Sequence, residues 1–378
     1  MTALRIAQLD NFVGPRSGGM KTAMQALGAG YAAAGANRLF VMPGLRDERR
    51  SFPAGDVVQL RGARVGGGYR VILEPWRVIE ILEEFAPTSV EISDKSSLLP
   101  VSRWARRNGV GSMLLSHERL DAMLSLRTGL GNATSAPVSA LNRLLVRHFD
   151  TIVVTSAFAR QEFAAVAAAA GTPLHQIPLG VDLSTFRPAA TRSPASAPLR
   201  LVHAGRLSRE KSPHLAVATA VELHKRGVPV RLDVFGEGPH RAELERLAAG
   251  APVHFRGLVA SRPALSAHLA QADIAISACP GETFGLAVLE ALACGTPVVT
   301  ADTGGASELV DPSCGARAAP TPEALADAVL RLAAGPVAAQ RAAARWRAEQ
   351  YPWEHTVTSM LSLHAQLGSD GDRLRPPA

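Results

Sequence analysis

A strand-then-helix alternation runs through this chain twice, broken once, and that rhythm limits the available folds more than any single residue does. In the first pass "LRIAQLD" (4–10), "RLFVMPG", "SVEIS", "GSMLLSH" and "TIVVTS" read as strands. Between them lie helical stretches such as "KTAMQALGAGYAAAG", "EPWRVIEILEEFA", "LLPVSRWARRNG", a helix around 137–149 and an Ala-rich helix at 156–170. The second pass runs "LRLVHAGRL", "VRLDVFGEG", "VHFRGLV", "DIAISA" and "PVVTA", with helices expected at 213–226, 239–249, 263–271, 284–293 and near 322–334. Strands separated by helices of this length pair in parallel, with helices on both faces of the sheet. Between the passes, "AATRSPASAP" (189–198) is small, rich in Pro and Ser and without periodicity, which reads as a linker.

The chain of 378 residues also exceeds what one ordinary core organises. The expected arrangement is therefore an α/β protein with two Rossmann-like, doubly wound domains, 1–188 and 199–350, facing a central cleft. A helix at 351–367, amphipathic at Trp353, Val357, Met360, Leu361 and His364, is expected to cross back to the first domain. Ligands of such sheets bind outside the carboxyl ends of the strands.

Composition narrows the function classes. Apolar residues make up 47% and charged residues 19%, the balance of a globular chain. No apolar run reaches the roughly 18 to 20 residues that span a bilayer, and the start has no basic-then-apolar signal pattern. Cys279, Cys294 and Cys314 lack metal-ligand spacing and read as reduced core cysteines in a cytoplasmic setting. The net charge of +7 is uneven: residues 1–188 carry 21 Lys and Arg against 15 Asp and Glu, and the remainder is nearly balanced. A basic first half suits an acidic or membrane-surface partner, or simply reflects an Arg-rich genome.

The chemistry concentrates in "PGETFGLAVLE" (280–290). Glu282 falls at the mouth of the preceding strand, and a helix is expected to begin near Thr283–Phe284 with unpaired N–H groups that favour an anion. Glu290 is flanked by Val288, Leu289, Ala291 and Leu292, which argues against a fully solvated position. A buried carboxylate costs several kcal/mol, by rough estimate, without donors. A ribose diol supplies two O–H donors; an interhelical salt bridge is the other solution. Upstream, "HAGRLSREKSPHLA" sets Arg206 and Lys211 in a loop ahead of a helix with Ser212 as N-cap and Pro213 at the first position. Two cations there can neutralise a diphosphate and stabilise its departure.

These landmarks together resemble retaining glycosyltransferases of the two-domain GT-B fold, GT4-like in motif. The pair E-x7-E with Phe284 and Gly285 after the first Glu resembles their nucleotide-sugar site, and Arg206 and Lys211 fall about eighty residues before it, as in the family. "FGEGP" (235–239), "FRGLV" (255–259) and "GVD" (180–182) are similar to further landmarks. The resemblance implies that Arg256, Gly257 and Leu258 lie near the base, and that Phe284, Gly285, Leu286 and Glu290 hold the nucleotide. It implies that Gly18 and Gly19, in "GPRSGGM" (14–20), approach the donor phosphates; only glycine lets a backbone come that close. It also implies that His117, at the strand end in "LLSHERLDAML", contacts the donor sugar, with Glu118 and Arg119 on the acceptor side. His117, Glu282, Arg206 and Lys211 are the expected catalytic set.

The stretches "NFVGPRSGGMKTA", "SHERLDAML", "IPLGVD" and "ETFGLAVLEALACGTPVV" are similar to actinobacterial GDP-mannose-dependent α-mannosyltransferases that build envelope glycolipids. The implied donor is GDP-mannose, and the implied acceptor an anionic glycolipid or phosphoinositide at the inner face of the membrane. No DxD-like pair stands at a strand mouth, so no metal is expected, and no nucleic-acid partner. Candidate membrane contacts are Arg103, Trp104, Arg106, Arg107 and the loop "RGARVGGGYR". A UDP-sugar transferase with a soluble acceptor, a silent nucleotide-sugar-binding protein and a sugar-nucleotide epimerase share the architecture.

Overall fold

The computed structural model describes residues 3–11, 18–65, 68–128, 135–191, 198–248 and 250–374. Residues 14–17 of the glycine loop, 192–197 of the linker and 66–67 of "RGARVGGGYR" lie outside them. The chain divides into two compact units. One is built from Met1–Glu118, Ser135–Pro178 and Trp353–Ala378, the other from Arg119–Thr134 and Leu179–Pro352.

In chain order the elements up to residue 176 are β1 (Arg5–Leu9), α1 (Gly19–Ala33), β2 (Asn37–Gly44), β3 (Glu48–Phe52), β4 (Gly55–Arg61), β5 (Ala63–Arg64), β6 (Arg70–Val71), α2 (Pro75–Phe85), β7 (Ser89–Ile92), α3 (Leu99–Arg107), β8 (Gly111–Ser116), α4 (Leu120–Thr128), α5 (Ser135–His148), β9 (Thr151–Val154), α6 (Ala157–Ala170) and β10 (Leu174–Gln176). The first unit's sheet has the order β10-β9-β8-β7-β1-β2-β4-β3. Every pair in it is parallel except β3 with β4. Strand side chains alternate faces, so successive residues feed two cores. Leu114, Ile152 and Val154 join Val78, Leu82, Leu145 and Phe163 on one side. Met113, Leu115 and Val153 join Met24, Leu27 and Tyr31 on the other, where Val357, Met360 and Leu363 of the C-terminal helix complete the layer.

A buried polar network fastens that helix. Glu91 on β7 accepts from Gln8 Nε2 (3.0 Å) and Tyr31 OH (2.8 Å), and lies 3.2 Å from His364 Nε2. The other ring nitrogen of His364 is 2.8 Å from Ser89 Oγ, and Arg38 Nε donates to Gln8 at 2.7 Å. Burial alone raises the Glu91 carboxyl, but the hydrogen bonds and charge of His364, with Tyr31 and Gln8, outweigh it and hold the group below the ordinary carboxylate range.

The second unit contains β11 (Leu199–Ala204), α7 (Pro213–Lys225), β12 (Val230–Phe235), α8 (Arg241–Leu247), β13 (Val253–Gly257), α9 (Arg262–Gln271), β14 (Ile274–Ser277), α10 (Leu286–Ala293), β15 (Val298–Ala301), β16 (Gly315–Ala318), α11 (Pro322–Ala333) and α12 (Val337–Glu349). The last helix of the chain, α13 (Trp353–Leu374), belongs to the first unit. The second sheet is wholly parallel in the order β13-β12-β11-β14-β15-β16. Its strand order reverses between β11 and β14, which opens a crevice beyond their carboxyl ends.

Several local expectations change. The β3–β4 hairpin was not anticipated, since "ERRSF" on a polar sheet edge has no apolar alternation, and β5 and the start of β6 fall within "RGARVGGGYR", expected as a loop. The helices α4 and α12 were not anticipated. Gly285 is left-handed (φ 104°), so α10 starts at Leu286 and not near Thr283–Phe284. Ser212 is left-handed as well (φ 48°) and makes no side-chain cap, although Pro213 does open α7.

Candidate functional site

The crevice of the second unit is formed by the loops that follow β11 and β14. Gly205 leaves β11, and Gly236 crosses it with φ 133°. A Cβ on Gly236 would overlap the carbonyl oxygen of Gly205, so "FGEGP" is glycine-rich because two backbones touch there. Arg206, half-buried, follows, and a 3-10 turn over Arg209–Lys211 presents Lys211.

Lys211 meets the second loop directly. Its Nζ lies 3.0 Å from Glu282 Oε1 and 2.8 Å from Oε2, and the Glu282 side chain is 17% exposed. Glu282 is therefore a paired, mostly sheltered carboxylate and not a solvated loop charge. Its backbone is held too: Gly305 N donates to Glu282 O at 2.6 Å. The α4 segment packs here as well. Arg119 N donates to Thr283 Oγ1 (3.4 Å), and Leu126 covers Gly281. Phe284 is buried edge-on to Tyr351, and the left-handed Gly285 sits where a Cβ would press to 3.0 Å on Ala306.

Glu290 stands in the second turn of α10 with its side chain 12% exposed. Arg262, in the first turn of α9, reaches it at 3.1 Å between Nη2 and Oε1. The interhelical salt bridge weighed from the sequence is thus present. It occupies one oxygen; Oε2 has no protein partner among the described residues. Burial pushes the Glu290 carboxyl up to about 7 against the lowering charge and hydrogen bond of Arg262. Such a group sits between its two charge states near neutrality.

Arg256 is exposed and paired with Asp233 on β12 at 2.7 Å. Gly257 adopts φ 74°, and Leu258 beside it is 67% exposed. Arg262 and Asp233 are partners that sequence reasoning missed. Both lie far along the chain from the groups they bind, and neither belongs to a short motif.

The first unit carries Gly18, Gly19 and His117. Gly18 is the residue before α1, with no side-chain cap and open space where its Cβ would stand. A helix N-terminus without a cap leaves N–H groups that an anion can take. His117 follows β8; it is half-buried, and its Nε2 is shut off from solvent without a hydrogen-bond partner. Burial, helped by the charge of Lys95 and opposed by Glu91, pushes its pKa down to about 4, so the ring is neutral near pH 7. Lys95 Nζ donates to Glu118 O at 2.6 Å and pairs with buried Glu162 at 3.2 Å, which anchors the turn behind His117. Asp121 pairs with Arg119 at 2.9 Å. Among the described residues no group of three or more His, Cys, Asp or Glu is placed to hold a metal ion.

Two family models match the chain: "Glycosyl transferase 4-like domain" over residues 18–180 and "Glycosyl transferases group 1" over 198–334. A curated relative from Mycobacterium tuberculosis is 41% identical over 372 residues, covering 95% of both chains; it is the "GDP-mannose-dependent alpha-(1-6)-phosphatidylinositol dimannoside mannosyltransferase". The chain belongs to the group 1 glycosyltransferases. This glycosyltransferase is also similar to the glycogen synthase of the same species, at 33% identity over 66% of the chain and 62% of the relative. Among solved structures, the sucrose-phosphate synthase of Thermosynechococcus elongatus superposes with a TM-score of 0.80 at 22% identity, covering 97% of this chain and 99% of that one. Anabaena HepE in complex with UDP and glucose gives 0.74 at 18%, covering 96% and 99%. Its fold class is accordingly that of the GT-B glycosyltransferases, built from two Rossmann-like parallel-sheet units.

Proposed function

We propose that this glycosyltransferase moves a mannosyl group from GDP-mannose to an anionic phosphatidylinositol mannoside or a related glycolipid, with retention at the anomeric carbon, at the inner surface of the membrane. The observation that carries the reading is the 41% identity across 95% of both chains with a relative of that described activity. In this reading Arg206 and Lys211 hold the diphosphate, and Glu290 accepts from the ribose hydroxyls through its unshared oxygen. Arg256, Gly257 and Leu258 border the base, and Phe284, Gly285 and Leu286 shape the loop beneath the nucleotide. Glu282 takes hydroxyls of the transferred sugar, the Gly18–Gly19 helix start faces the phosphates, and neutral His117 contacts the sugar as a hydrogen-bonding group.

The acceptor oxygen attacks the anomeric carbon on the face that the diphosphate leaves. The bond from that carbon to the phosphate oxygen breaks, and the acceptor proton passes to the departing phosphate oxygen. Arg206 and Lys211 neutralise the charge that develops there, so side-chain cations supply the electrophilic help, and we assign no resident metal. Fixed donors cost no reorganisation as the bond breaks, so positioning and charge stabilisation carry the rate.

The test is nucleotide release from GDP-mannose, UDP-glucose and UDP-N-acetylglucosamine, each with and without an anionic lipid extract. GDP released from GDP-mannose and increased by lipid supports the reading. Consumption of only a UDP-sugar, indifferent to lipid, replaces it with a soluble-acceptor transferase of the same fold.

A further inference from the structure

Lys95 carries a charge into the interior of the first unit. It stands in the loop that leaves β7, and its side chain is 9% exposed. A buried ammonium is unfavourable unless acceptors surround it. Here they come from two other elements. Glu162 on α6, with a side chain 1% exposed, lies 3.2 Å from Nζ, and the ring centre of Phe163 on the same helix is 5.1 Å away. From the turn after β8, the carbonyl oxygen of Glu118 accepts from Nζ at 2.6 Å. The loop that carries Lys95 is stiff, because the Asp94 carboxylate accepts from Ser96 N at 3.1 Å and Leu98 N at 2.7 Å.

The ion pair alone does not account for this lysine. A buried pair of this kind can often be exchanged for apolar side chains of similar volume without loss of stability. An apolar side chain cannot, however, hold the Glu118 carbonyl. That carbonyl is gripped twice, by Lys95 and by Ser116 Oγ at 3.2 Å, so the two donors clamp the turn from Ser116 to Glu118. His117 is the middle residue of that turn. β8 pairs with β9 as far as Ser116, and the ladder ends there. The imidazole Nε2 has no hydrogen-bond partner among the described residues, so the backbone on either side has to aim the ring. A charge-assisted bond is roughly twice as strong as a neutral one, which makes Lys95 the firmer clamp. Burial and the charge of Lys95 together disfavour protonation of the ring, against the pull of Glu91 on β7.

We propose that Lys95 is a positioning residue for glycosyl transfer: it holds the Glu118 carbonyl and so aims the His117 imidazole, with Glu162 as its fixed counter-charge. Lys95 itself touches no substrate in this scheme. The inference deepens the proposed function and rests on its assignment of His117 to the transferred sugar.

The test is a double-mutant cycle in the full chain. Lys95→Met/Glu162→Gln removes both charges at once, so neither is left buried and unpaired. Nucleotide release is measured with whichever of GDP-mannose, UDP-glucose and UDP-N-acetylglucosamine the parent consumes, in the presence of the lipid extract. The expected fall in kcat is about 10-fold to 100-fold, the scale of a misplaced reacting group, with affinity for the released nucleotide changed by less than about threefold. In a His117→Gln background the same substitutions are expected to change kcat by less than about twofold, because a residue acting through His117 has nothing left to aim. Ser116→Ala takes away the other clamp without touching a charge, which keeps the test available if the charge-free variant fails to fold. It is expected to lower kcat by a smaller factor, again only when His117 is present.

Parent-like turnover by the folded variants overturns the inference. So does an equal loss with and without His117, or a nucleotide affinity that falls as far as kcat. If His117→Gln transfers as well as the parent, the proposed role of His117 fails and this inference with it. If His117→Gln loses transfer and the Lys95 variant does not, this inference alone fails. A loss of turnover that depends on His117, seen with a UDP-sugar as donor, supports the inference while the GDP-mannose reading falls.

Discussion

Lys211 and Glu282 neutralise one another across the crevice of the second unit, with Nζ at 2.8 and 3.0 Å from the two carboxylate oxygens. Before a donor arrives, the cation assigned to the diphosphate is thus held by the carboxylate assigned to the sugar. In the proposed reading, donor binding divides the pair, giving Lys211 to phosphate and Glu282 to hydroxyls. Glu282→Ala is therefore expected to keep or tighten GDP affinity while abolishing transfer. Lys211→Ala is expected to weaken GDP binding and to lower turnover by about 100-fold to 1000-fold, the usual cost of one lost charge-stabilising donor. Calorimetric GDP binding beside product formation separates the two; a Glu282→Ala variant with full transfer removes that residue from the site.

Glu290 gives a pH signature. Its folded-state pKa is about 7 against an ordinary 4.5, so the folded chain keeps a proton that the unfolded chain releases as pH rises between those values. Stability therefore falls as pH rises through that window. Glu290→Gln should remove that component, seen as a smaller decline in unfolding free energy from pH 5 to 8 than in the parent. Asp10, also raised to about 7 by burial, contributes the same sign in both chains and cancels in the comparison.

In the proposed reading, the same carboxyl links pH to the nucleotide. Ribose hydroxyls bind the ionised form best, so GDP affinity should rise as pH passes through about 7. Glu290→Gln should cost about tenfold, or about 1.4 kcal/mol. Arg262 lowers the Glu290 pKa, so Arg262→Ala should move the binding midpoint to higher pH without removing binding. An unchanged midpoint in that variant would leave the salt bridge with a purely structural role.

His117 titrates with the opposite sign. Burial depresses it to about 4 from 6.5, so the folded chain resists a proton that the unfolded chain accepts. Its contribution is complete above about pH 6.5 and is lost as pH falls toward 4. His117→Gln should make acid unfolding shallower over that window. In transfer, the variant should lose about 100-fold in kcat with GDP affinity changed by less than about threefold, and the parent profile should show no histidine limb near pH 6.5.

In the first unit, His364→Leu removes the group that faces Glu91 in a fully buried network. Breaking one side of a buried pair leaves an uncompensated charge, and the expected loss is about 3 to 5 kcal/mol in urea unfolding. Adding Glu91→Gln should restore part of it; a double variant no better than the single would mean that packing, not charge, dominates.

The candidate site was legible where its signals are local. Glu290 stands out because a carboxylate interrupts an apolar helical run, and "FGEGP" because glycines cluster where a strand ends. Ser212 misled because Ser before Pro has the composition of an N-cap, yet the preceding 3-10 turn forces it to φ 48°, where its hydroxyl does not reach the helix. The start of α10 misled likewise: Phe284 fits a helical pattern, but Gly285 turns left-handed before the helix can begin. The edge strand β3 was invisible because a strand facing water has no buried alternation to read, whereas β4 inside the sheet does alternate, burying Val58 and Leu60.

By itself the sequence determined the parallel α/β alternation, its division into two passes and the family landmarks. Hydrophobic period and glycine placement act over a few residues, and a reader of the chain has those in full. Only the tertiary structure decided which charges answer one another. Lys211 and Glu282 are 71 residues apart, Arg262 and Glu290 28, and Glu91 and His364 273. Such pairs are brought together by the order in which strands join their sheets and by the helix that closes over them. A carboxylate's neighbours then set its charge, so Glu91 and Glu290, both buried in the fold, are driven to opposite sides of their ordinary value.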